Sequence, residues 1–316
     1  MSLTSRIKET ANQLGFFRFG AVRTESFARL RFLDRWLSDG MHGEMAWMER
    51  SREKRENPDR VLPSVRSMIV VGLNYFLPAP SPASRDGLVS RYAWGVDYHL
   101  IMEEKLALLS GFVRTILPGA ATRHYSDTGP VMEKAWAERA GLGWIGKHTN
   151  LISPGHGSYL FLGEILLDHE LDEYSDPGAD LCGTCTLCIQ ACPTGALLPY
   201  RLDARKCISY LNIEKRGEFS EGEKRALGEW VYGCDECQEV CPWNSAPEAT
   251  REPGFRELNP AVFKLEKETV REEEFNRLFT ASPIKRLKYK GLMRNLEAVE
   301  ENRKRVQLLT GEVTGS

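Results

Sequence analysis

The sequence predicts an α+β protein in three parts: a mixed-sheet α/β domain over residues 1–175, a cysteine-rich domain over 176–245 and a short helical segment over 246–316. Three observations lead there. Runs dense in β-branched and aromatic residues alternate with helix-periodic stretches through the first half. All eight cysteines fall between Cys182 and Cys241. Beyond Pro247 the chain turns charged and keeps helical spacing to its end.

The elements follow in order. Phe27, Leu30, Phe32, Leu33, Trp36 and Leu37 recur at helical spacing and stop at Gly40. Residues 67–76 and 158–167 read as strands bounded by turn formers. Between them lie a helix over 100–117, ended by Pro118-Gly119, and another over 131–140. The Pro/Ser-rich stretch 77–86 reads as an exposed loop. A helix over 221–232 separates cysteines of the middle part. At 316 residues, with 42 % hydrophobic and 27 % charged, the chain has enough apolar side chains for two packed domains. Its net charge of −2 means that any nucleic-acid surface is a local patch. The N-terminus carries neither an apolar signal core nor a twin-arginine pair, and the apolar run 68–73 is far too short to span a bilayer. A cytoplasmic protein without a membrane partner is expected.

The cysteines carry the chemistry. One run is Cys182-x2-Cys185-x2-Cys188-x3-Cys192-Pro193; the other is Cys207, then Cys234-x2-Cys237-x3-Cys241-Pro242. This is the spacing of two-cluster bacterial ferredoxins, in which the last cysteine of each run crosses to the other cluster. One 4Fe–4S cluster then takes Cys182, Cys185, Cys188 and Cys241; the second takes Cys207, Cys234, Cys237 and Cys192. Zinc is the alternative, although a closed zinc site has no need of the CxxxCP endings. A disulfide framework belongs to short secreted domains and does not fit cysteines crowded into so small a part of a long chain. Thiolate clusters also call for a reducing compartment.

The stretch Tyr125-Ser126-Asp127-Thr128-Gly129-Pro130, the run from Ala137 to His148 (AERAGLGWIGKH) and Arg91-Tyr92-Ala93-Trp94-Gly95-Val96-Asp97-Tyr98-His99 precede the double cysteine run. In that order they resemble epoxyqueuosine reductase, a family distantly similar to reductive dehalogenases. The resemblance covers roughly residues 5–245. It implies an N-terminal cobalamin-binding catalytic domain, fed with electrons by two clusters of a ferredoxin-like domain. It implies reduction of epoxyqueuosine in the tRNA anticodon loop to queuosine, the last step of queuosine biosynthesis. The Asp-x-His-x-x-Gly signature of a histidine that ligates cobalt from below is absent, and the tail is shorter than in members carrying helical repeats. With no flavin or nicotinamide motif, an external flavodoxin or ferredoxin-type reductase is expected as donor, and the enzyme as a monomer. A corrinoid reductase of a small molecule and a non-catalytic electron carrier are the competing readings.

Asp127 matches the family's proton donor, which suits a reaction that expels an epoxide oxygen. Burial under a corrin would raise its pKa; the plainer reading is a helix N-cap. Gly141-x-Gly143-x-x-Gly146 satisfies the dinucleotide fingerprint but follows a helical stretch where a strand is required, which excludes that reading. The resemblance places this glycine-rich exit near the cofactor, with Lys147 beside it. Arg55, Ser158, Ser209 and Asp235 are further cofactor candidates, against a solvated charge run for Arg55 and plain packing for Ser158 and Tyr159. His99 and His124 read as structural or RNA-facing, and Trp144 and Tyr98 as core before base-stacking residues. Lys285, Arg286, Lys288, Lys290 and Arg294 form a basic stretch without an acid, a candidate RNA surface. Their spacing equally fits one amphipathic helix with Ile284, Leu287, Leu292 and Leu296 inward. Residues 50–60 offer a second, interrupted patch.

Overall fold

Four strands form one antiparallel sheet, in the order Arg18–Arg23, Ser67–Asn74, Leu160–Leu167 and Thr122–Tyr125, in a computed structural model that describes residues 1–27, 31–79, 87–265, 267 and 270–310. The α+β class therefore holds. The parallel pairing that a mixed sheet calls for lies outside this sheet, between Leu88–Val89 and Trp230–Tyr232.

Side chains alternate across the sheet with period two. Ile69, Val71 and Leu73 join Ile165 and Leu167 on one face, whereas Met68 and Val70 join Leu162 and Leu166 on the other. Helices Leu3–Gln13 and Tyr98–Ile116 cover the first face through Ile7, Met102 and Leu106, all fully buried. Helix Glu133–Arg139 covers the second with Ala135, Trp136 and Ala137. Because both faces are covered, the Ser67–Asn74 strand is buried at every position but its last. Each fully buried Leu or Ile contributes about 1.5–3 kcal/mol, so these three layers form a rigid platform for the loops at the strand ends.

Two sequence expectations need correction. The helix foreseen over 221–232 ends at Leu227, because Gly228 turns the chain at φ 55. Residues Trp230–Tyr232 then pair as a strand. The basic stretch is two helical pieces, a 3-10 turn over Pro283–Leu287 and an α-helix over Lys288–Thr310, with Lys288 at φ 57 breaking them. Its apolar stripe is nevertheless right: Ile284, Leu287, Leu292 and Leu296 are buried with Trp94, Tyr232 and Phe279 in one cluster. The helix over 27–37 is seen as Phe32–Ser38; Leu30 and residues 80–86 of the expected loop lie outside the described residues.

The C-terminal helix reaches back onto the middle part. Asn295, fully buried, donates from Nδ2 to the carbonyls of Asn212 (2.7 Å) and Val231 (2.9 Å). Among the described residues no helix is long and apolar enough to cross a membrane.

Candidate active site

Two cavities meet at Tyr92 and Tyr98, which line both. The outer one, of about 1010 Å³, is bordered by Asp127, His99, Arg55, Glu214, Lys285 and Arg286. The inner one, of about 360 Å³, lies between the Leu160–Leu167 strand and the cysteine-rich part.

Asp127 stands on the loop joining strand Thr122–Tyr125 to helix Glu133–Arg139, at φ 62. The left-handed region costs a non-glycine residue energy, and such residues concentrate at functional sites. The N-cap of the following helix is Met132, so capping does not explain Asp127. Its Oδ2 accepts a hydrogen bond from the Tyr98 hydroxyl at 2.7 Å and faces His99 Nε2 at 3.4 Å, while His99 Nδ1 lies 2.7 Å from Asp97 Oδ1. The Asp127 side chain is 55 % exposed and lines the outer cavity. Those contacts decide the charges. Desolvation pulls His99 down, but Asp127 and Asp97 overcome it and push the imidazole up to about 9. Desolvation pushes Asp127 up, yet the hydrogen bonds of His99 and Tyr98 hold it below the ordinary carboxylate value. The upward shift expected from burial is thus reversed, and at neutral pH the proton rests on His99.

The charged neighbours of the thiols run mostly within the two expected sets. Cys188 feels Cys241, Cys182 and Cys185. In the other set Cys234 feels Cys207 and Cys237, and Cys207 feels Cys192. Cys237 also feels Cys188 of the first set, and among the described residues no three His, Cys, Asp or Glu converge tightly enough for a single ion. Cys192, Cys207, Cys234 and Cys237 all line the inner cavity, and no cysteine of the other set does. Beside the other set Leu181 and Leu187 are 48 % and 47 % exposed, while Cys188 and Cys241 are themselves buried. Trp144, almost fully buried, donates Nε1–H to Cys182 Sγ at 3.5 Å, a sulfur contact in place of base stacking.

The other predicted residues divide by where they point. Ser158 and Ser209 line the inner cavity. The amide of Ser158 donates to Asn244 Oδ1 (2.7 Å), and its hydroxyl accepts from Gln238 (3.0 Å) and Asn244 (2.9 Å), tying the sheet to the cysteine-rich part. Tyr159 packs between Tyr75 and Phe76. Arg55 is buried rather than solvated: it donates to the carbonyls of Val131 (2.8 Å) and Gly129 (3.3 Å), bracing the Asp127 loop from the outer cavity. Lys147 lines neither cavity; its ammonium donates to the carbonyls of Gly183 (2.6 Å) and Cys185 (2.8 Å) in the first cysteine loop. Asp235 is likewise turned away, accepting from the Ser90 hydroxyl and the Arg91 amide. The glycine-rich exit is structural. Gly141 ends its helix at φ 73, and a Cβ on Gly143 would lie 1.9 Å from the Ile152 carbonyl oxygen.

Of the basic stretch, Lys285, Arg286, Lys288 and Lys290 are exposed; the first two line the outer cavity with Asp127, Arg286 pairing with Glu214 at 2.7 Å. Arg294 is not available to a ligand in the same way: its guanidinium lies over Phe219 at 4.0 Å and donates to the carbonyls of Lys215 and Gly217. His124 pairs with Glu103 at 3.0 Å.

Three groups escaped the sequence reading. Glu133 accepts the Asp127 amide, Glu164 is fully buried beneath it, and His148 lines the inner cavity with a buried Nε2 that has no hydrogen-bond partner. Nothing in their local sequence separates them from a first-turn helix acid, a strand residue and a loop histidine.

Comparison with known proteins agrees with this geometry. The profile described as "Epoxyqueuosine reductase QueG, DUF1730" matches residues 55–128, and the "4Fe-4S double cluster binding domain" profile matches residues 181–244. An epoxyqueuosine reductase of Synechocystis sp. is 44 % identical over 87 % of this chain and 96 % of its own length. One from Cellulophaga algicola is 39 % identical over 92 % and 96 %. Among solved structures, an epoxyqueuosine reductase with an epoxyqueuosine-modified tRNA-Tyr stem loop superposes with TM-score 0.85 at 29 % identity, covering 98 % of this chain and 83 % of the other. The Bacillus subtilis enzyme gives TM-score 0.85 at 30 % identity, covering 98 % and 84 %. With relatives this similar along nearly its whole length, the chain belongs to the epoxyqueuosine reductase family.

Proposed function

We propose that this chain reduces the epoxide of epoxyqueuosine in a tRNA anticodon loop to the alkene of queuosine, with two 4Fe–4S clusters and cobalamin as its cofactors. One observation carries the reading: all four thiols of one expected cluster set line a cavity that shares Tyr92 and Tyr98 as wall with the cavity lined by the Asp127–His99 pair. Electrons and protons are thus delivered to one place from opposite sides. The names and the tRNA stem-loop complex of its relatives support the same substrate.

The inner cavity, of about 360 Å³, would take only part of a large flat cofactor, the rest reaching into the outer one of about 1010 Å³. The inner walls are mostly apolar, through Leu160, Leu197 and Ile208 among others, with the hydroxyls of Ser158 and Ser209, the amide of Asn150 and the ammonium of Lys134 at the edges. The unpartnered His148 Nε2 is a polar atom in want of a ligand there. Cobalamin, when bound, supplies the strongly reducing centre the epoxide requires. The chain's own part is positional and protic. Tyr98 fixes the Asp127 carboxylate, His99 holds the proton, and that proton passes through Asp127 to the departing oxygen. Residues 1–175 form the cofactor and substrate domain in this scheme, 176–245 the electron relay, and 246–316 the wall carrying the RNA-facing cations.

The cluster of Cys182, Cys185, Cys188 and Cys241 is the entry point, since Leu181, Leu187 and Trp243 expose apolar surface around it. A flavodoxin or ferredoxin-type reductase docks there, and a cytoplasmic monomer suffices for the whole cycle. The reading is tested with anaerobically purified, cobalamin-loaded enzyme, a chemical reductant and tRNA from cells lacking the last step. Conversion of epoxyqueuosine to queuosine is the expected result; unchanged epoxyqueuosine overturns it.

The exposed cations give a further expected outcome. Replacing Lys285, Arg286 and Lys288 with Ala weakens tRNA binding and lowers its log–log salt slope by about 0.7–0.9 for each phosphate no longer neutralised. Filter binding between low and moderate salt checks this, and an unchanged slope assigns these residues to solvent.

A further inference from the structure

We infer that Glu133 and the fully buried Glu164 form a proton store behind Asp127, which supplies the second proton of the reaction. The inference rests on the proposed epoxide reduction and concerns its proton supply. Converting an epoxide to an alkene breaks both carbon–oxygen bonds, takes up two electrons from the clusters, and releases the oxygen as water only after two protons arrive. The Asp127–His99 pair holds one proton, because an imidazolium facing a carboxylate carries one between them. A second must come from elsewhere.

Glu164 lies on the central Leu160–Leu167 strand, in register with Val70 on one side and with Tyr125 on the other, two residues before Asp127. It is fully buried, and neither of its carboxyl oxygens meets a hydrogen-bond donor. The carboxyl of Glu133 is the first of its charged neighbours, ahead of Asp127. Two carboxyl groups brought together out of water avoid like-charge repulsion by keeping at least one proton between them. Glu133 in turn accepts the backbone amide of Asp127, so the pair is fastened to the loop it serves. The groups facing Glu133 are Asp127 from the loop, Arg55 from helix Arg52–Glu56, the adjacent Lys134 and Glu164 from the strand. Burial, then the Asp127 charge, push Glu133 up to about 8 against Arg55 and Lys134, and burial with the Glu133 charge pushes Glu164 well above the carboxylate range. The pair therefore holds its proton at neutral pH and gives it up as pH rises. After the first proton has left through Asp127, the store recharges that carboxylate, and the second proton converts the departing hydroxide to water.

Both glutamates act through Asp127 and are positioning residues, so the test needs more than a rate. Infrared difference spectra of the whole enzyme, taken between neutral and alkaline pH, should show the carbonyl stretch of a protonated carboxylic acid that Glu164→Gln removes. In Glu164→Gln the Gln amide donates to Glu133 and stabilises its charged form, so the alkaline limb of turnover moves to lower pH. Turnover at that limb falls by about tenfold or more, with KM for tRNA and iron content unchanged. Glu133→Gln, which keeps a carbonyl oxygen for the Asp127 amide, repeats the loss of the infrared band should Glu164→Gln fail to fold. A wild-type spectrum without that band, or a Glu164→Gln profile superposing on the wild type, overturns the proposal. Wild-type enzyme inactive on epoxyqueuosine tRNA would instead sink the substrate assignment, while the infrared band still decides whether the store exists.

Discussion

Asp127→Asn lowers single-turnover reduction of epoxyqueuosine by about 10²-fold or more, the usual loss on removing a positioned acid. The substitution is a clean one. Asn tolerates the left-handed backbone at least as well as Asp, so the φ of 62 at this position is no obstacle. Tyr98 and Arg55 keep their places, because Arg55 holds the loop through the carbonyls of Gly129 and Val131 rather than through the Asp127 side chain. Iron content, cofactor retention and tRNA affinity should then match the wild type. A second readout follows from the charges. The His99 imidazole is raised to about 9 by Asp127 and Asp97, so loss of the Asp127 charge moves it down toward its ordinary value. The sign is fixed: a raised imidazole contributes stability that is whole below its unfolded value near 6.5 and is lost as pH climbs through about 9. The variant loses that contribution. NMR titration of His99 checks the shift, and near-normal turnover with an altered titration would remove Asp127 from proton delivery.

Cys207→Ala abolishes turnover and cuts iron from about eight toward about four per chain. Cys207 shares its set with Cys192, Cys234 and Cys237, all of them lining the inner cavity. Losing that cluster leaves no centre beside the cofactor. Cys185→Ala should cost the same iron with a different consequence, because no cysteine of its set lines the cavity and the exposed Leu181 and Leu187 adjoin it. A small diffusing reductant bypasses that outer cluster, so Cys185→Ala keeps activity with it and loses activity with a protein donor. Iron and sulfide analysis paired with both assays separates the two. Equal behaviour of the variants would break the serial order from surface to cavity, and zinc in place of iron would remove the clusters altogether.

The main strands and helices were legible because their apolar side chains recur with the period of the element. Residues 67–76 read as strand and 100–117 as helix for that reason, and the structure has them at 67–74 and 98–116. The places where reading failed have one cause. Trp230–Tyr232 looks like the end of a helix until Leu88–Val89 offers it a partner. The basic stretch looks like one helix until the turn at Lys288 is imposed by packing of Ile284 and Leu287 beneath it. Of the two readings of Arg55, cofactor candidate or solvated charge run, the second fails because the side chain is buried under the loop it braces.

Sequence alone determined the cluster chemistry, since thiolate ligands repeat at spacings that few other uses of cysteine require. Tertiary structure alone decided which thiols line the inner cavity, where the protons reside and which cations stay exposed. Those depend on distances between residues far apart in the chain: His99 against Asp127, Glu164 against Glu133, Arg294 against Phe219. A proton's location follows from the local field and desolvation around a group, and neither exists until the chain has folded.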